Sequence, residues 1–482
     1  MAVVRRRRSM ICSSTGKWGV TRGISLLLKL EGNMRLAVIS DVHLGDPDSS
    51  MAGRSSSSEN VMGHGYDLFQ KSIHDQFRGE PLDYLVLLGD ILDFSIEHYS
   101  LVYEIGRAWF GRMIEDKILR RRPSTGDESR CGPIIYISGN HDVDMWHTVE
   151  YQVSIIRRLS SGEKAEKFRM SVPTIIHERP DKGVCDVYLH GVNNIVDRRY
   201  GGLFLDFITS PPTDFYFGYP NLYFVSEGET VMMTHGQYFN FFWSFLGQWA
   251  VKIVGDDLKL SRRGQLDLVE MVGINCPTSQ LSCSAIGQAG PLTDVIRKLE
   301  HDIKAHQMGD VNRYLDRLLD ELLSTLNSGL LRIPGAKWGI HLVIKSILKR
   351  LLGKTKSARD YQTYLDDRDV KENFDEFYKA TIREIEDVQQ DYPFEIPYPS
   401  RMIFGHTHQP VSWHGPGDIA VPGCSRAAAG RLLVSNTGGW LCHKDKQGPG
   451  AEIFYYETGK GFTSKRIHYE PGGQPIQGGT NE

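Results

Sequence analysis

The sequence predicts an α/β fold, because continuous apolar runs alternate with segments of helical character. The first run is Arg35–Ser40, the second is Tyr84–Leu88 and the third is Pro133–Ser138. Runs of this kind, bounded by glycine and polar residues, are typical of strands that are buried on both faces. The helix-like segment Asp67–Phe77 lies between the first two runs. We therefore expect a sheet of buried strands with helices outside it.

The second half of the chain continues the pattern after a long interruption. A leucine-rich segment between His235 and Met402 has apolar residues at helical spacing, and Gly329 is its expected end. Phe374–Val388 is a further charged helix by its composition. This interruption is therefore interpreted mainly as a helical insertion. The later strand-like runs are Asp186–Leu189, Thr230–Thr234, Arg401–Phe404 and Arg431–Ser435.

These patterns divide the chain into four predicted parts. Residues 1–33 are a leader or a disordered extension, and residues 34–241 together with 399–470 form the core. Residues 242–398 form a helical cap inserted into that core, and residues 471–482 form a flexible tail.

Composition limits the class of protein. The 482 residues carry a formal net charge of -3, so no overall attraction to nucleic acid is expected. The seven cysteines are scattered and include no C-x-x-C pair, which argues against a disulfide framework or a zinc ribbon and favours a reducing compartment. No apolar run reaches the roughly 18–20 residues of a transmembrane helix. We expect a cytoplasmic protein, with contact at a membrane surface as an alternative.

The N-terminus allows three interpretations. The run Arg5–Arg8 is followed by serines, and no acidic residue precedes Glu31, as in an organelle transit peptide. A disordered extension and translation from a start codon upstream of the real one are the alternatives. Met34 stands directly before the first strand, which favours these two over the transit peptide.

Five predicted strands are followed by residues that bind divalent metals. In open α/β sheets, sites form at the carboxyl ends of strands, so the five blocks are expected to meet in one cleft. Carboxylates, imidazoles and an amide oxygen suit Mn, Fe, Zn or Mg rather than copper. A carboxylate shared by two ions holds them about 3.5–4 Å apart, where they clamp a phosphoryl group and activate a water. The blocks are Asp41-Val-His43, Gly89-Asp90-Ile-Leu-Asp93, Gly139-Asn140-His141-Asp142, Thr234-His235-Gly236 and Gly405-His406-Thr-His408.

Taken together, these blocks resemble the calcineurin-like metallophosphoesterase superfamily over residues 35–240 and 401–460. The resemblance implies a two-sheet β-sandwich flanked by helices, in four layers α/β/β/α, with a site at one edge for two divalent metal ions (manganese, iron, zinc or magnesium). It implies a hydrolase that cleaves phosphoester or pyrophosphate bonds with a metal-bound water or hydroxide.

The resemblance also implies roles for individual residues. Asp41, His43 and His408 would hold the first metal, while Asn140, His235 and His406 would hold the second. Asp90 would bridge the two metals. His141 would protonate the leaving oxygen or stabilise charge beside the phosphate, and Asp93 would orient His141. His190-Gly191 also follows a strand and is the alternative to His235 as the fourth-block ligand.

One position departs from the protein Ser/Thr phosphatases of this superfamily, which place an arginine directly after the G-D-x-x-D block. Here that position is Phe94, so bidentate phosphate recognition by that arginine is absent. The sequence is more similar to the branch that hydrolyses UDP-2,3-diacylglucosamine, which has a helical insertion before the last histidine block. The segment Asn436-Thr-Gly-Gly-Trp440 is similar to the closing segment of that branch.

The expected substrate is a phosphorylated small molecule or a nucleotide-diphospho-lipid. Two stretches of the insertion bear on the second alternative, a lipid-linked UDP-sugar pyrophosphatase at a membrane surface. Tyr238–Trp249 is rich in aromatic residues, and the region from His341 to Lys356 combines an apolar stripe with basic residues. Ordinary packing within the cap explains the same pattern. A catalytically silent scaffold with this fold is the remaining alternative, although all seven ligand positions and His141 are present.

Overall fold

The structure is a computed structural model. It describes residues 24–29, 33–55, 59–122, 130–192, 202–209, 213–239, 266–283, 309, 313, 317, 368–414, 419–421, 432–442 and 450–468. Within these ranges the chain forms a mixed α/β fold with two large sheets and helices on their outer faces.

Seventeen strands are described, most of them short and buried. In chain order they are β1 Ile24–Lys29, β2 Arg35–Ile39, β3 Ala52–Arg54, β4 Asn60–Met62, β5 Tyr84–Leu88, β6 Arg121–Arg122, β7 Arg130–Ile137, β8 Thr174–Arg179, β9 Val184–Leu189, β10 Thr213–Gly218, β11 Asn221–Ser226, β12 Glu229–Thr234, β13 Arg401–Phe404, β14 Ile419–Val421, β15 Leu432–Asn436, β16 Ala451–Glu457 and β17 Gly461–Ile467.

The helices lie between these strands. They are α1 His64–Phe77, α2 Tyr99–Glu115, α3 Val143–Glu150, α4 Arg157–Ser160, α5 Gly202–Ile208, α6 Leu268–Cys283 and α7 Arg368–Gln389. A π-helical turn, Tyr151–Ile156, joins α3 to α4, and short 3₁₀ turns occur at Pro180–Lys182 and Gln237–Phe239.

The first large sheet, here called the N-terminal sheet, has the strand order β10-β7-β5-β2-β16-β17, with β6 paired to β7. Strands β10, β7, β5 and β2 run parallel to one another, while β16 and β17 are antiparallel to their neighbours. The second, here called the insertion-side sheet, has the order β1-β9-β8-β11-β12-β13-β15-β14. Its strands β12, β13 and β15 are parallel.

The contacts of consecutive side chains on two strands show that the layers are stacked as helix, sheet, sheet and helix. Successive side chains of a strand point to opposite faces of the sheet. On β16, Tyr456 contacts Phe224 of the opposite sheet, while Tyr455 contacts Phe77 of α1. On β11, Phe224 faces the N-terminal sheet, while the hydroxyl of Tyr223 donates to Glu384 of α7. The predicted four-layer α/β class with two sheets is therefore confirmed.

The predicted strands agree with the structure to within a few residues, and the predicted helix Phe374–Val388 lies inside α7. The segment between β2 and α1 contains the small hairpin β3–β4. The leucine-rich segment 311–326 and the region 341–356 lie outside the described residues, apart from single helical positions such as Arg313. None of the described helices is long and apolar enough to cross a membrane.

The structure describes part of the predicted extension 1–33. Ile24–Lys29 forms β1 and pairs antiparallel with β9 along its whole length. The cause is the open edge of β9, whose backbone groups accept a further strand.

Candidate metal centre

All five metal-ligand blocks lie at the carboxyl ends of strands, as predicted. Asp41 follows β2, Asp90 follows β5 and Asn140 follows β7, and these three strands are parallel neighbours. His235 follows β12 and His406 follows β13, which are parallel neighbours in the other sheet. Because parallel strands end at the same edge of a sheet, the two sheets bring the blocks together at one edge.

A first group joins Asp41, His43 and His408, whose ligand atoms all lie within 4.8 Å of one another. His408 Nε2 lies 3.3 Å from both His43 Nε2 and Asp41 Oδ1. Asp41 is fully buried and His43 nearly so, whereas the His408 side chain is partly exposed. This group could hold one ion.

A second group joins Asp90, His235 and His406 within the same 4.8 Å limit. His235 Nε2 lies 3.1 Å from Asp90 Oδ2 and 3.2 Å from the amide oxygen of Asn140. Asp90 Oδ2 is also 4.0 Å from His43 Nε2 of the first group. The Asp90 carboxylate therefore lies between the two groups.

The tautomers of two histidines show that a cation fits this arrangement. Nδ1 of His43 lies 2.7 Å from the Asp93 carboxylate, and Nδ1 of His235 lies 2.9 Å from the Leu88 carbonyl oxygen. Both of these partners are acceptors, so each Nδ1 carries the proton and donates. In the neutral form that binds a metal, each Nε2 presents a lone pair toward neighbouring oxygen or nitrogen atoms. A divalent ion with nitrogen and oxygen ligands satisfies these converging lone pairs.

The backbone around the centre is strained. Among the described non-glycine residues, those with a positive φ include Asp41, His43, Asp90, His406 and His408, with φ between 51° and 67°. Such conformations cost on the order of 1–3 kcal/mol each and persist where the surrounding structure enforces them. Five proposed metal-ligand positions have this cost, so the conformation that directs these side chains toward one another lowers the stability of the fold.

Two glycines are required by the close approach of ligand side chains. A Cβ at Gly139 would lie 2.2 Å from Asp90 Oδ1, and a Cβ at Gly405 would lie 2.3 Å from Asp41 Oδ2. Any larger residue would displace a carboxylate. These two glycines make room for the ligand side chains themselves.

The electrostatics of the centre depend on the pairing of carboxylates with imidazoles. Burial alone would raise the pKa of Asp90, but His235 and His141 hold it well below its usual range. Burial would lower the pKa of His235, yet Asp90 raises it to about 9. For His406, burial and the neighbouring His235 lower the pKa to about 3. The ordinary form of the centre therefore has ionised carboxylates, ready to bind cations.

Asp93 contacts two histidines rather than one. Its Oδ2 atom accepts from His43 Nδ1 at 2.7 Å, and its Oδ1 atom lies 3.1 Å from His141 Nδ1. The sequence predicted only the contact with His141. Ser95 was missed: its hydroxyl lies 2.6 Å from both Asp93 Oδ1 and His141 Nδ1. An Asp-x-Ser spacing is the sequence signal that could have indicated it, since aspartate accepts from the residue two positions later.

Asp142 has a structural task that the sequence left unassigned. Its carboxylate accepts from the backbone N–H of Gly139 at 2.6 Å, from that of Ile91 at 2.9 Å and from the hydroxyl of Tyr136. These bonds tie the third block to the second, so Asn140 and Asp90 keep a fixed spacing. Burial and the nearby charge of Asp90 raise the pKa of Asp142 to about 6.

The closing segment 436–440 supports the last block. The amide of Asn436 donates to the Gly405 carbonyl at 2.8 Å and to the Thr407 hydroxyl at 3.0 Å. The backbone N–H of Trp440 donates to the carbonyl of Asp41 at 3.0 Å. The segment therefore links the first and the fifth blocks across the two sheets.

The positions of Phe94 and His190 bear on two points that the sequence raised, the residue after the second block and the alternative fourth-block histidine. Phe94 is fully buried and its ring stacks on Tyr99 at 4.3 Å, so an apolar side chain fills the place after the second block. His190 lies beside Tyr188 and near Asp387 and Asp391, and it belongs to none of the described metal-binding groups. His235, rather than His190, adjoins Asp90.

The comparison with protein families concerns part of the chain. Residues 34–251 match the family described as calcineurin-like phosphoesterase. The match contains the first four blocks and ends before His406. No curated protein gives a significant match to the chain.

Proposed function

We propose that the protein hydrolyses phosphoester or pyrophosphate bonds at a dinuclear metal centre. The observation that carries this proposal is the position of Asp90, whose Oδ2 atom lies 3.1 Å from His235 Nε2 and 4.0 Å from His43 Nε2. One carboxylate between two groups of ligands is the arrangement that lets two ions share a bridge.

The ligand sets follow from the two groups. Asp41, His43 and His408 would hold one ion, and Asn140, His235 and His406 would hold the other, with Asp90 between them. Bound divalent ions would supply Lewis acidity toward the phosphoryl oxygens and would lower the pKa of the attacking water. Manganese, iron, zinc and magnesium all accept such ligands.

The residues of the chain itself add a proton donor. The His141 side chain is about one-fifth exposed, and its Nδ1 atom faces Ser95 and Asp93. We propose that its other nitrogen, Nε2, faces the leaving oxygen. The backbone N–H of His141 donates to Asp90 Oδ1 at 2.8 Å, which fixes the backbone of His141 beside the metal groups. General acid catalysis from this position contributes roughly 10²–10⁴-fold in enzymes.

The substrate is proposed to be a phosphorylated small molecule or a nucleotide-diphospho-lipid. The buried Phe94 supports a substrate other than a phosphoprotein, because no guanidinium follows the second block. The lipid-linked UDP-sugar alternative depends on residues 240–249 and 341–356, which lie outside the described residues, so it stays a prediction, as does the resemblance to UDP-2,3-diacylglucosamine hydrolases. A cytoplasmic location, with or without membrane contact, belongs to the same proposal.

The replacement Asp90→Asn tests the function. It removes the charge of the shared carboxylate, so metal content should fall from two ions per chain. Hydrolysis should fall by more than the roughly 10- to 100-fold that loss of an outer partner costs. The measurements are elemental analysis and turnover of a phosphoester panel that includes nucleotide-diphospho-lipids.

Asp186→Asn is the matched control. Asp186 is another buried aspartate, located on β9 and paired with Arg179 at 2.5 Å, three strands from β12. Its replacement should leave metal content and turnover unchanged. Full activity of the Asp90→Asn protein would contradict the dinuclear mechanism, and a native protein that hydrolyses nothing with any divalent ion would favour the silent-scaffold alternative.

A further inference from the structure

The Ser95 hydroxyl connects the proposed proton donor to Asp93. Ser95 is nearly buried, and its Oγ lies 2.6 Å from His141 Nδ1 and 2.6 Å from Asp93 Oδ1. Its backbone N–H also donates to Asp93 Oδ1 at 3.0 Å. Ser95 is therefore held on Asp93 by two bonds, and its hydroxyl oxygen faces the imidazole.

The directions of these hydrogen bonds determine the tautomer of His141. A serine hydroxyl has a single proton, and it donates that proton to the Asp93 carboxylate. Its oxygen can then only accept from His141, so Nδ1 of His141 carries a proton. This leaves Nε2 as the nitrogen that exchanges a proton with substrate.

Asp93 cannot hold His141 well by itself. Its other oxygen, Oδ2, is engaged by His43 Nδ1 at 2.7 Å, whereas Oδ1 is 3.1 Å from His141 Nδ1. A shift of the carboxylate toward His141 would lengthen its bond to His43, a residue of the first metal group. Ser95 supplies the short contact that the shared carboxylate does not.

The backbone of His141 is fixed independently of Ser95. Its N–H donates to Asp90 Oδ1 at 2.8 Å, and its carbonyl accepts from the Phe94 N–H at 3.2 Å. Rotation of the imidazole about its side-chain bonds is the freedom that remains, and the two partners at Nδ1 restrict it.

We propose, resting on the proposed function, that Ser95 is a positioning residue that orients the His141 imidazole for proton transfer to the leaving group. In the step it serves, water oxygen bonds to phosphorus as the bond from phosphorus to the leaving oxygen breaks. The leaving oxygen takes the electron pair and the Nε2 proton of His141, and the proton released by the water restores the imidazolium.

Leaving groups distinguish this role from a purely structural one. A poor leaving group needs the proton in the transition state, while a good one departs without it. We therefore compare phenyl and para-nitrophenyl esters of the same phosphoryl group. In Ser95→Ala, kcat for the phenyl ester should fall about tenfold, and kcat for the para-nitrophenyl ester should change by less than about twofold. KM and metal content should match those of the native protein.

Ser72→Ala is the matched control. Ser72 is a buried serine of α1 that accepts one hydrogen bond, at 2.7 Å, from the Tyr455 hydroxyl far from the centre. The Ser72→Ala protein should lose about as much stability as the Ser95→Ala protein, and it should keep the native ratio of the two kcat values. Ser95→Cys is the second variant if Ser95→Ala does not fold, because a thiol has a similar shape but is a weaker donor and acceptor. It should show the same selective loss.

Three results would overturn the inference. They are native kcat values for both esters, an equal loss for both esters, and a loss of metal in the Ser95 variants. If the native protein itself hydrolyses neither these esters nor the wider phosphoester panel, the proposed function fails, and this failure is distinct from a failure of the role of Ser95.

Discussion

Two clusters of buried acidic groups behave in opposite ways. At the candidate metal centre, Asp90 is enclosed, and the facing histidines lower its pKa despite burial. Under α7, Glu384 accepts from the hydroxyls of Ser171 and Tyr223, each at 2.6 Å, and burial raises its pKa to about 7. Part of the Glu384 side chain stays accessible, although its carboxyl group is enclosed.

The two pKa values shift in opposite directions because the carboxylates have different hydrogen-bond and charge partners, and not because one carboxylate is more deeply buried. The Asp90 carboxylate faces imidazoles that can carry charge, whereas the Glu384 carboxylate accepts from neutral hydroxyls and the amide of Asn221. Neutral donors offset only part of the cost of burying a charge. The first cluster is therefore suited to cations, and the second joins a helix to a sheet.

The largest effect is expected for Asp93→Asn, which removes the charge shared by His43 and His141. Burial would raise the pKa of Asp93, but both imidazoles hold it well below its usual range, so the native group is ionised. An amide can present its NH₂ group to one of the two Nδ1 atoms and force the wrong tautomer. We expect kcat to fall by about 10³-fold or more, as loss of a tautomer-fixing carboxylate does elsewhere, together with partial loss of metal.

Comparison of Asp93→Asn with His141→Asn separates the two contacts of Asp93, one with His43 of the first metal group and one with the proposed proton donor His141. Removal of the proton donor should lower kcat for poor leaving groups and leave metal content intact, because His141 is outside both proposed ligand sets. Equal metal loss in the two variants would contradict the assignment of His43 to the first metal group. Unchanged turnover in Asp93→Asn would contradict any role of this carboxylate.

Metal removal is the next largest expected effect, and it concerns stability. A ligand that binds only the folded state stabilises it by about 4 kcal/mol at a concentration of 1,000 Kd. Chelation should therefore lower Tm by several degrees, and re-addition of Mn²⁺ or Zn²⁺ should restore it, as measured by scanning calorimetry. The Glu384→Gln protein should show the same shift, since Glu384 belongs to none of the candidate metal groups among the described residues. A Tm that is insensitive to chelator would contradict the metal centre.

Local patterns accounted for most of the fold and for the metal groups. A continuous apolar run in the sequence predicts a buried strand, so β2, β5 and β13 could be predicted from neighbouring residues alone. Placement of the blocks at strand ends followed from the general geometry of parallel sheets. The strand β1 was missed because its pairing depends on the open edge of β9, which is distant in sequence.

Contacts between side chains of different blocks were not recoverable in the same way. Asp93 contacts both His43 and His141, and the three residues lie on three different loops. Which histidine it holds more closely depends on a difference of a few tenths of an ångström between the two contacts. Ser95 looks like an ordinary turn residue in the sequence, and Glu384 looks like one more charge on a helix. Their roles follow from what the opposite sheet or loop places against them.

The smallest expected effect tests the second cluster, through Glu384→Gln. Since the pKa of Glu384 is raised from 4.5 to about 7, the folded state binds more protons than the unfolded state between these values. The stability that the protonated group contributes is full below pH 4.5 and is lost as pH rises through about 7. Gln resembles the protonated form and carries no charge, so the variant should unfold at higher denaturant concentration than the native protein at pH 8. We expect a difference of about 1–2 kcal/mol, reduced by partial exposure, which declines toward pH 5. A difference independent of pH between 5 and 8 would show that packing, rather than ionisation, governs this cluster.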